Sequence, residues 1–362
     1  MRRRGWAASL AVAGCLSIGA ACTIFNPLDE YGPSKGTLTD GAAADEDRRN
    51  GPADDAGSCG VRWPEPPQTE DGTESLEQVF ALDSLAIAGP QTTDNAPPGY
   101  DLDRTCTCPG PPSCASPAGK PACDLDGGID MSGALLLETF LGLAGKVAST
   151  SSISKGNSGL VIRLAKYNGK RNDREVQVSV FASTGTELIG GTNDHTPPKH
   201  DGTDRWMIDR DALFGGNGPP FVPKVFDTEG YVTDGTLVAR LDVQLNVGDL
   251  VVRLSNGVLT AKVVDDGPIR RLTQGRFAGR WAAKDLLPAL DTLEDPFDKS
   301  KGIYRDSLIY QQVKAEVCGA VDLVSDQAKD GTGATCDAVG MTLIFSAETA
   351  QMGIVGAAEP LV

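Results

Sequence analysis

The sequence predicts a mainly β domain: an antiparallel sandwich with a few helices packed at one side and with loops stapled by disulfides. Three observations carry that prediction. Apolar side chains alternate over residues 236–264, further alternating runs are separated by Gly-, Pro- and Asn-rich turns, and four cysteines crowd into 106–123.

The first observation is the most detailed. Leu237, Ala239, Leu241, Val243 and Leu245 alternate with Thr236, Val238, Arg240, Asp242 and Gln244, the period of a half-buried strand, and Leu250, Val252 and Leu254 repeat it. Asn256-Gly257 reads as a two-residue hairpin turn, because both residue types accept positive φ. That turn sets Leu254 opposite Leu259, Val252 opposite Ala261 and Leu250 opposite Val263, while a turn over 246–249 sets Leu245 opposite Leu250. The expected product is a three-stranded meander with Asp242 facing Arg253 on its outer side.

Composition bounds the function. A 362-residue chain with 40% hydrophobic and 23% charged residues is globular, and its net charge of −16 argues against a nucleic-acid binder, which needs a basic surface. The only dense basic run, Arg2-Arg3-Arg4, opens a secretory signal: an apolar stretch follows to Ile18, then Gly19-Ala20-Ala21 before Cys22. This ending resembles a bacterial lipoprotein signal, whose lipobox precedes a cysteine that becomes lipidated and N-terminal. Ile18-Gly19-Ala20-Ala21-Cys22 leaves an apolar region of normal length. Val12-Ala13-Gly14-Cys15 fits the lipobox residue by residue but leaves a short one, so Cys22 is expected to carry the lipid, with Cys15 as the alternative. By the same resemblance, Thr23 rather than Asp favours sorting to the outer membrane or cell surface. The expected organisation is a signal peptide over 1–21, a lipidated N-terminus and disordered acidic tether over 22–58, and a β-rich domain over 59–362, with 76–214 and 224–355 as candidate subdomains. Membrane contact is expected through the lipid alone.

Further along, 78–89 reads as the first strand and 131–150 as a helix, with Leu136, Phe140, Leu143, Ala144 and Val147 on one face and Asp130 or Ser132 as N-cap. Residues 159–167 and 175–183 read as a hairpin, and 206–208 as a short strand. Helical patterns cover 281–293 and 306–321, and 340–347 reads as the last strand. A short phrase recurs at Asp234-Gly235, Asn256-Gly257 and Gln274-Gly275, which is turn-then-strand grammar rather than a solenoid repeat.

Three groups of residues could carry chemistry. Leaving out Cys15 and Cys22, seven of the nine cysteines remain in an exported chain, a setting that favours disulfides over zinc thiolates. The expected pairs are Cys318 with Cys336, Cys106 with Cys123 and Cys108 with Cys114, leaving Cys59 free. Asp101, Asp103, Asp124, Asp126 and Asp130 gather around the cysteine-rich loop, and alternating carboxylates followed by glycine suit calcium. An EF-hand is a poor match: a loop starting at Asp124 would put Ile129 at the invariant glycine and Leu135 at the bidentate glutamate. A solvated acidic turn is the competing reading. His195 and His200 share one loop with Asp194 and Asp201.

Beyond the signal, the globular part loosely resembles β-rich lipoproteins of bacterial envelopes, through its Cys-rich loop ending in the acidic phrase Asp124-Leu125-Asp126-Gly127-Gly128-Ile129-Asp130. That resemblance implies no activity. No HExxH, GxSxG or P-loop motif occurs. The expected function is a surface-anchored, non-enzymatic binding or structural module, with an envelope protein or polysaccharide as partner. The alternative is an extracellular hydrolase or carbohydrate-active enzyme using aspartates of 101–130 or the pair His195 and His200.

Overall fold

The computed structural model describes residues 60–89, 96–141, 150–190, 192–215, 219–247, 250–265, 269–290 and 308–356. The segments expected to be a signal peptide and a tether, both candidate lipidation cysteines and Cys59 lie outside the described residues.

Alternation becomes strand wherever it was strong. β1 (Leu76–Ile87), β2 (Gly159–Tyr167), β3 (Asp173–Thr186) and β4 (Arg205–Asp209) match the expected runs. β5 (Val225–Thr233), β6 (Thr236–Arg240), β7 (Val243–Val247), β8 (Leu250–Asp265), β9 (Arg270–Ala282), β10 (Ala338–Thr349) and β11 (Gln351–Gly356) complete the sheet. The helix read over 131–150 appears as α1 (Ser132–Leu141), and α2 (Thr150–Ser154) follows it among the described residues. Trp281 belongs to β9, not to a helix, and α3 (Ala283–Leu290) begins two residues later; α4 (Leu308–Ala320) lies within the helical pattern read over 306–321.

The strand order is β11-β4-β3-β2-β1-β10-β9-β8-β6-β5, with a further pairing of β3 to β5. That last pairing changes the architecture. The path from β3 through β2, β1, β10, β9, β8, β6 and β5 returns to β3, so eight strands close a barrel and the expected sandwich is not formed. Period-2 patterning states that each strand has an apolar face; it is the same for a sandwich and a barrel, and only the long-range pairing distinguishes them. β3 makes the closure possible by its length: its first part pairs β5 from Asp173 to Val180, and its end pairs β4 from Ser183 to Thr186. The two candidate subdomains therefore share one sheet.

Register places Phe80, Leu82, Ile162, Leu164, Val178, Val180, Leu237, Leu259, Phe277, Leu343 and Phe345 on a common face, all buried. These side chains fill the barrel. Phe277 and Phe345 lie 4.7 Å apart, ring centre to ring centre, and Gly275 opens the space for them: a Cβ there would sit 2.6 Å from the Phe345 ring. On the outside, Val238, Val258 and Ala278 are covered by Tyr100, Leu102 and Leu323, with Trp63 packed against them. α1 rests on β10, and α3 on β8 and β9.

The expected meander is replaced by a long hairpin with a kink. Asn256-Gly257 is not a turn; β8 runs through it, pairing β7 in its first part and β6 in its second. Leu254 lies opposite Val243 and Val252 opposite Leu245, while Leu259 faces Ala239 and Ala261 faces Leu237. Arg253 faces Gln244 rather than Asp242, and its Nε donates to Gln244 Oε1 at 2.9 Å. Asn256 does adopt a left-handed φ of +48°, as its residue type allows, but the Asp242 carboxylate accepts its N–H at 2.7 Å and Leu241 N–H donates to Gly257 O at 2.9 Å. The result is a bulge. A Cβ on Gly257 would come 2.4 Å from Leu241 O, which is why glycine stands there. Of the three recurring phrases, Asp234-Gly235 is a true two-residue turn between Thr233 and Thr236, whereas Gln274 at φ +51° also marks a register shift inside a long strand. The same left-handed residue serves both purposes, and strand pairing decides which.

Candidate metal centre

One end of the barrel's outer face carries two chain segments that bring acidic residues together. The first, 100–130, is held by Tyr100, whose hydroxyl bonds Thr260 Oγ1 of β8 at 2.8 Å. The second follows α4 and contains Asp322. Arg280 of β9, buried to 1% exposure, joins both to the barrel: it donates to Leu102 O at 2.8 Å and to Val324 O at 2.7 Å, and grips the Asp330 carboxylate through two bonds of 2.7 and 2.5 Å. A bidentate guanidinium–carboxylate pair is geometrically specific, so the two segments are fixed relative to each other.

Disulfides add to this. Cys108 bonds Cys123, and Cys114 bonds Cys336, which lies just before β10. Cys106 and Cys318 are disulfide-bonded as well. The expected pairs Cys318–Cys336, Cys106–Cys123 and Cys108–Cys114 are thus corrected. Proximity in sequence suggested them, but the chain returns Cys336 beside residue 115, where Cys336 N–H donates to Ala115 O at 3.0 Å. Such bonds belong to an oxidising, extracytoplasmic setting, and the bonded sulfurs are not thiolates for zinc.

Within this frame, Asp124 and Asp130 flank a tight turn in which Gly128 N–H donates to Leu125 O at 3.0 Å and Leu125 bridges Ile129. Gly127 and Gly128, at φ +84° and +73°, make the turn possible. It is not a helix–loop–helix calcium loop. Asp126 sits exposed at its tip and joins no acidic group.

The remaining four expected aspartates converge with one the sequence reading missed. Asp101, Asp103 and Asp130 form one trio and Asp124, Asp130 and Asp322 another, with the oxygens of each trio within 4.8 Å of one another. Asp101, Asp103, Asp130 and Asp322 are 1, 5, 1 and 3% exposed. In every one of the five, one oxygen is fixed by the protein. Arg104 N–H donates to Asp101 Oδ1 at 2.6 Å, Thr105 N–H to Asp103 Oδ1 at 2.8 Å, and Thr107 N–H to Asp124 Oδ2 at 2.6 Å. Leu102 N–H donates to Asp130 Oδ2 at 2.6 Å, and Ser132 Oγ to Asp322 Oδ1 at 2.8 Å. Asp130 and Ser132, the two candidate caps of α1, are thus both bonded into the centre. The other oxygen of each, Asp101 Oδ2, Asp103 Oδ2, Asp124 Oδ1, Asp130 Oδ1 and Asp322 Oδ2, is buried without a hydrogen-bond partner.

Electrostatics follows from this packing. Burial pushes the Asp101 carboxyl up to about 6 and Asp124 to about 7, with neighbouring aspartate charges adding to both. Burial lifts Asp322 to about 8 against the Ser132 hydrogen bond, and raises Asp130 well above the carboxylate range, reinforced by Asp103, Asp322 and Asp124. Like charges in a dry site oppose one another unless protons or a cation intervene.

Comparison with protein-family models, curated proteins and solved structures finds no match to this chain.

The donor set defines the chemistry of the centre. All are hard carboxylate oxygens, with neither histidine nor sulfur in either trio, the set that suits calcium or magnesium rather than zinc or copper. The histidines stand elsewhere: His195 Nδ1 lies 2.6 Å from Thr186 O, and His200 N–H donates to the Asp204 carboxylate at 2.7 Å. Asp322 did leave a trace in the sequence, as a lone acid within Val321-Asp322-Leu323-Val324, three apolar residues that are all buried. A charge inside a buried apolar run requires a partner.

Proposed function

We propose that this protein is a lipid-anchored module of the bacterial outer membrane or cell surface, non-enzymatic, whose carboxylate centre binds calcium and holds the loop face in a shape suited to an envelope protein or polysaccharide partner. The observation that carries the calcium reading is the divided state of the five aspartates: one oxygen of each is hydrogen-bonded to the protein, and the other is buried without a partner. Preorganised oxygens of this kind are what a hard cation requires, and their hydrogen-bonded mates act as the outer shell that orients ligands. The anchor rests on the lipobox before Cys22, with Cys15 as its rival. The site's position supports the structural role, since its ligands come from both segments that Arg280 ties to the barrel.

Calcium is favoured over magnesium because magnesium retains several waters, whereas four of these five side chains are shielded from solvent. Equilibrium dialysis of the exported, disulfide-intact chain against calcium, with magnesium in excess, tests the reading. Retention of calcium supports it, and no retention refutes it.

A further inference from the structure

We infer that the centre takes two divalent cations rather than one, the first held by Asp101, Asp103 and Asp130, the second by Asp124, Asp130 and Asp322, with the Asp130 carboxylate shared between them. This rests on the calcium reading above and goes beyond it in number, placement and ligand assignment.

The geometry supplies the first reason. Oxygens bound to one calcium lie 2.3–2.6 Å from it, so any two of them are separated by at most about 5 Å. Each trio meets that limit, with its atoms within 4.8 Å of one another, but the five carboxylates close into two trios and not into a single group. No single group within that spacing holds all five. The unpartnered oxygens are distributed over both trios: Asp101 and Asp103 belong only to the first, Asp124 and Asp322 only to the second, and each has its own buried, unbonded oxygen. An ion in one trio would leave the oxygens of the other unsatisfied.

Charge gives the second reason. Five ionised carboxylates carry five negative charges; Arg280 is already committed to Asp330, and Arg62, the cation whose charge acts on Asp101, offsets at most one charge of the first trio. One divalent ion then leaves at least two charges uncompensated in a dry site, whereas two leave at most one. A carboxylate common to two ions is a familiar bridge when they stand about 3.5–4 Å apart. Thr107 stands beside the second trio: its N–H holds Asp124, and its Oγ1 is buried without a partner.

The test is a calcium titration of the exported, disulfide-intact chain after chelator treatment, read as ions bound per chain. Two ions are expected in the unaltered protein, one in Asp101→Asn, one in Asp322→Asn, and at least a tenfold weaker affinity at both sites in Asp130→Asn. One ion per chain in the unaltered protein overturns the two-ion inference and leaves the calcium reading standing. No bound calcium overturns both. Two ions retained in Asp322→Asn overturns the ligand assignment. Circular dichroism in chelator establishes that each variant is folded; should Asp130→Asn fail to fold, the two outer variants decide the matter alone.

Discussion

Ser132 Oγ donates to the Asp322 carboxylate at 2.8 Å across 190 positions of sequence, and the N–H of Gly340 in β10 reaches the same hydroxyl at 3.2 Å. A residue at the start of α1 therefore ties an acidic side chain of the second segment to the barrel wall. Close approach makes this possible: a Cβ on Gly340 would lie 2.5 Å from Asp130 O. Ligand positions in the centre are thus set by the barrel and not by the loop alone.

Asp322→Asn is predicted to have opposite effects with and without calcium. In chelator it removes one of several repelling buried carboxylates and raises the melting temperature; in calcium it removes a ligand and lowers it. The expected size is about 1–3 kcal/mol in each direction, the range for a buried polar group gaining or losing its proper partner. Differential scanning calorimetry in the two buffers checks it. Equal shifts of the same sign would show that Asp322 is merely structural.

Calcium-free protein is predicted to lose stability as pH rises. The folded-state values of Asp101, Asp124 and Asp322, about 6, 7 and 8, stand above those of an unfolded chain, so the native state binds more protons than the unfolded one across this range. Stability is then fully present below the ordinary carboxylate range near pH 4 and declines as pH climbs from there to about 8, the Asp101 contribution lost first and the Asp322 contribution last. Denaturant midpoints measured in chelator at pH 5 and pH 8.5 should fall, and calcium should abolish or reverse the trend. A midpoint that rises with pH in chelator would contradict the account.

Disulfide mapping of unreduced peptides should return Cys108 with Cys123 and Cys114 with Cys336. Replacing Cys114 and Cys336 together by alanine should cost about 2–5 kcal/mol, as for other native disulfides of exported proteins. A peptide joining Cys318 to Cys336 would disprove the connectivity.

Much of this fold was legible, and the boundary is instructive. Alternation in 159–167 and 236–264 located strands and their apolar faces, because burial imposes a period of two wherever one side meets a core. It could not reveal that β3 reaches β5, since closure depends on pairs far apart in sequence. Asn256-Gly257 was misread for a related reason: a hairpin turn and a bulge ask the same backbone of the same residues, and the deciding contacts, Asp242 to Asn256 and Asn256 Nδ2 to Ser325 O at 3.1 Å, are not local. In the site, Asp101, Asp103, Asp124 and Asp130 were readable as a cluster because they surround one loop. Asp322 joins them only through the fold, and Asp126, adjacent in sequence, faces away.

Gly275→Ala tests the barrel interior. Its Cβ would stand 2.6 Å from the Phe345 ring, which is already packed on Phe277, so the ring must move. Destabilisation of about 1–3 kcal/mol is expected from overpacking and should be visible in urea denaturation. A neutral effect would mean that the filled interior tolerates the extra carbon.

Cys22→Ser is predicted to abolish palmitate labelling and membrane association of the exported chain, leaving the barrel's disulfides intact. Continued labelling would move the anchor to Cys15.

The central claim is that a buried carboxylate cluster becomes stabilising only with its cation. Thermal melting of the exported, disulfide-intact chain in millimolar calcium and in chelator at pH 7.5 tests it most directly. At a calcium concentration about a hundredfold above the dissociation constant, one site alone contributes about 2.7 kcal/mol, and the midpoint should rise by several degrees. Identical midpoints in the two buffers would contradict the account.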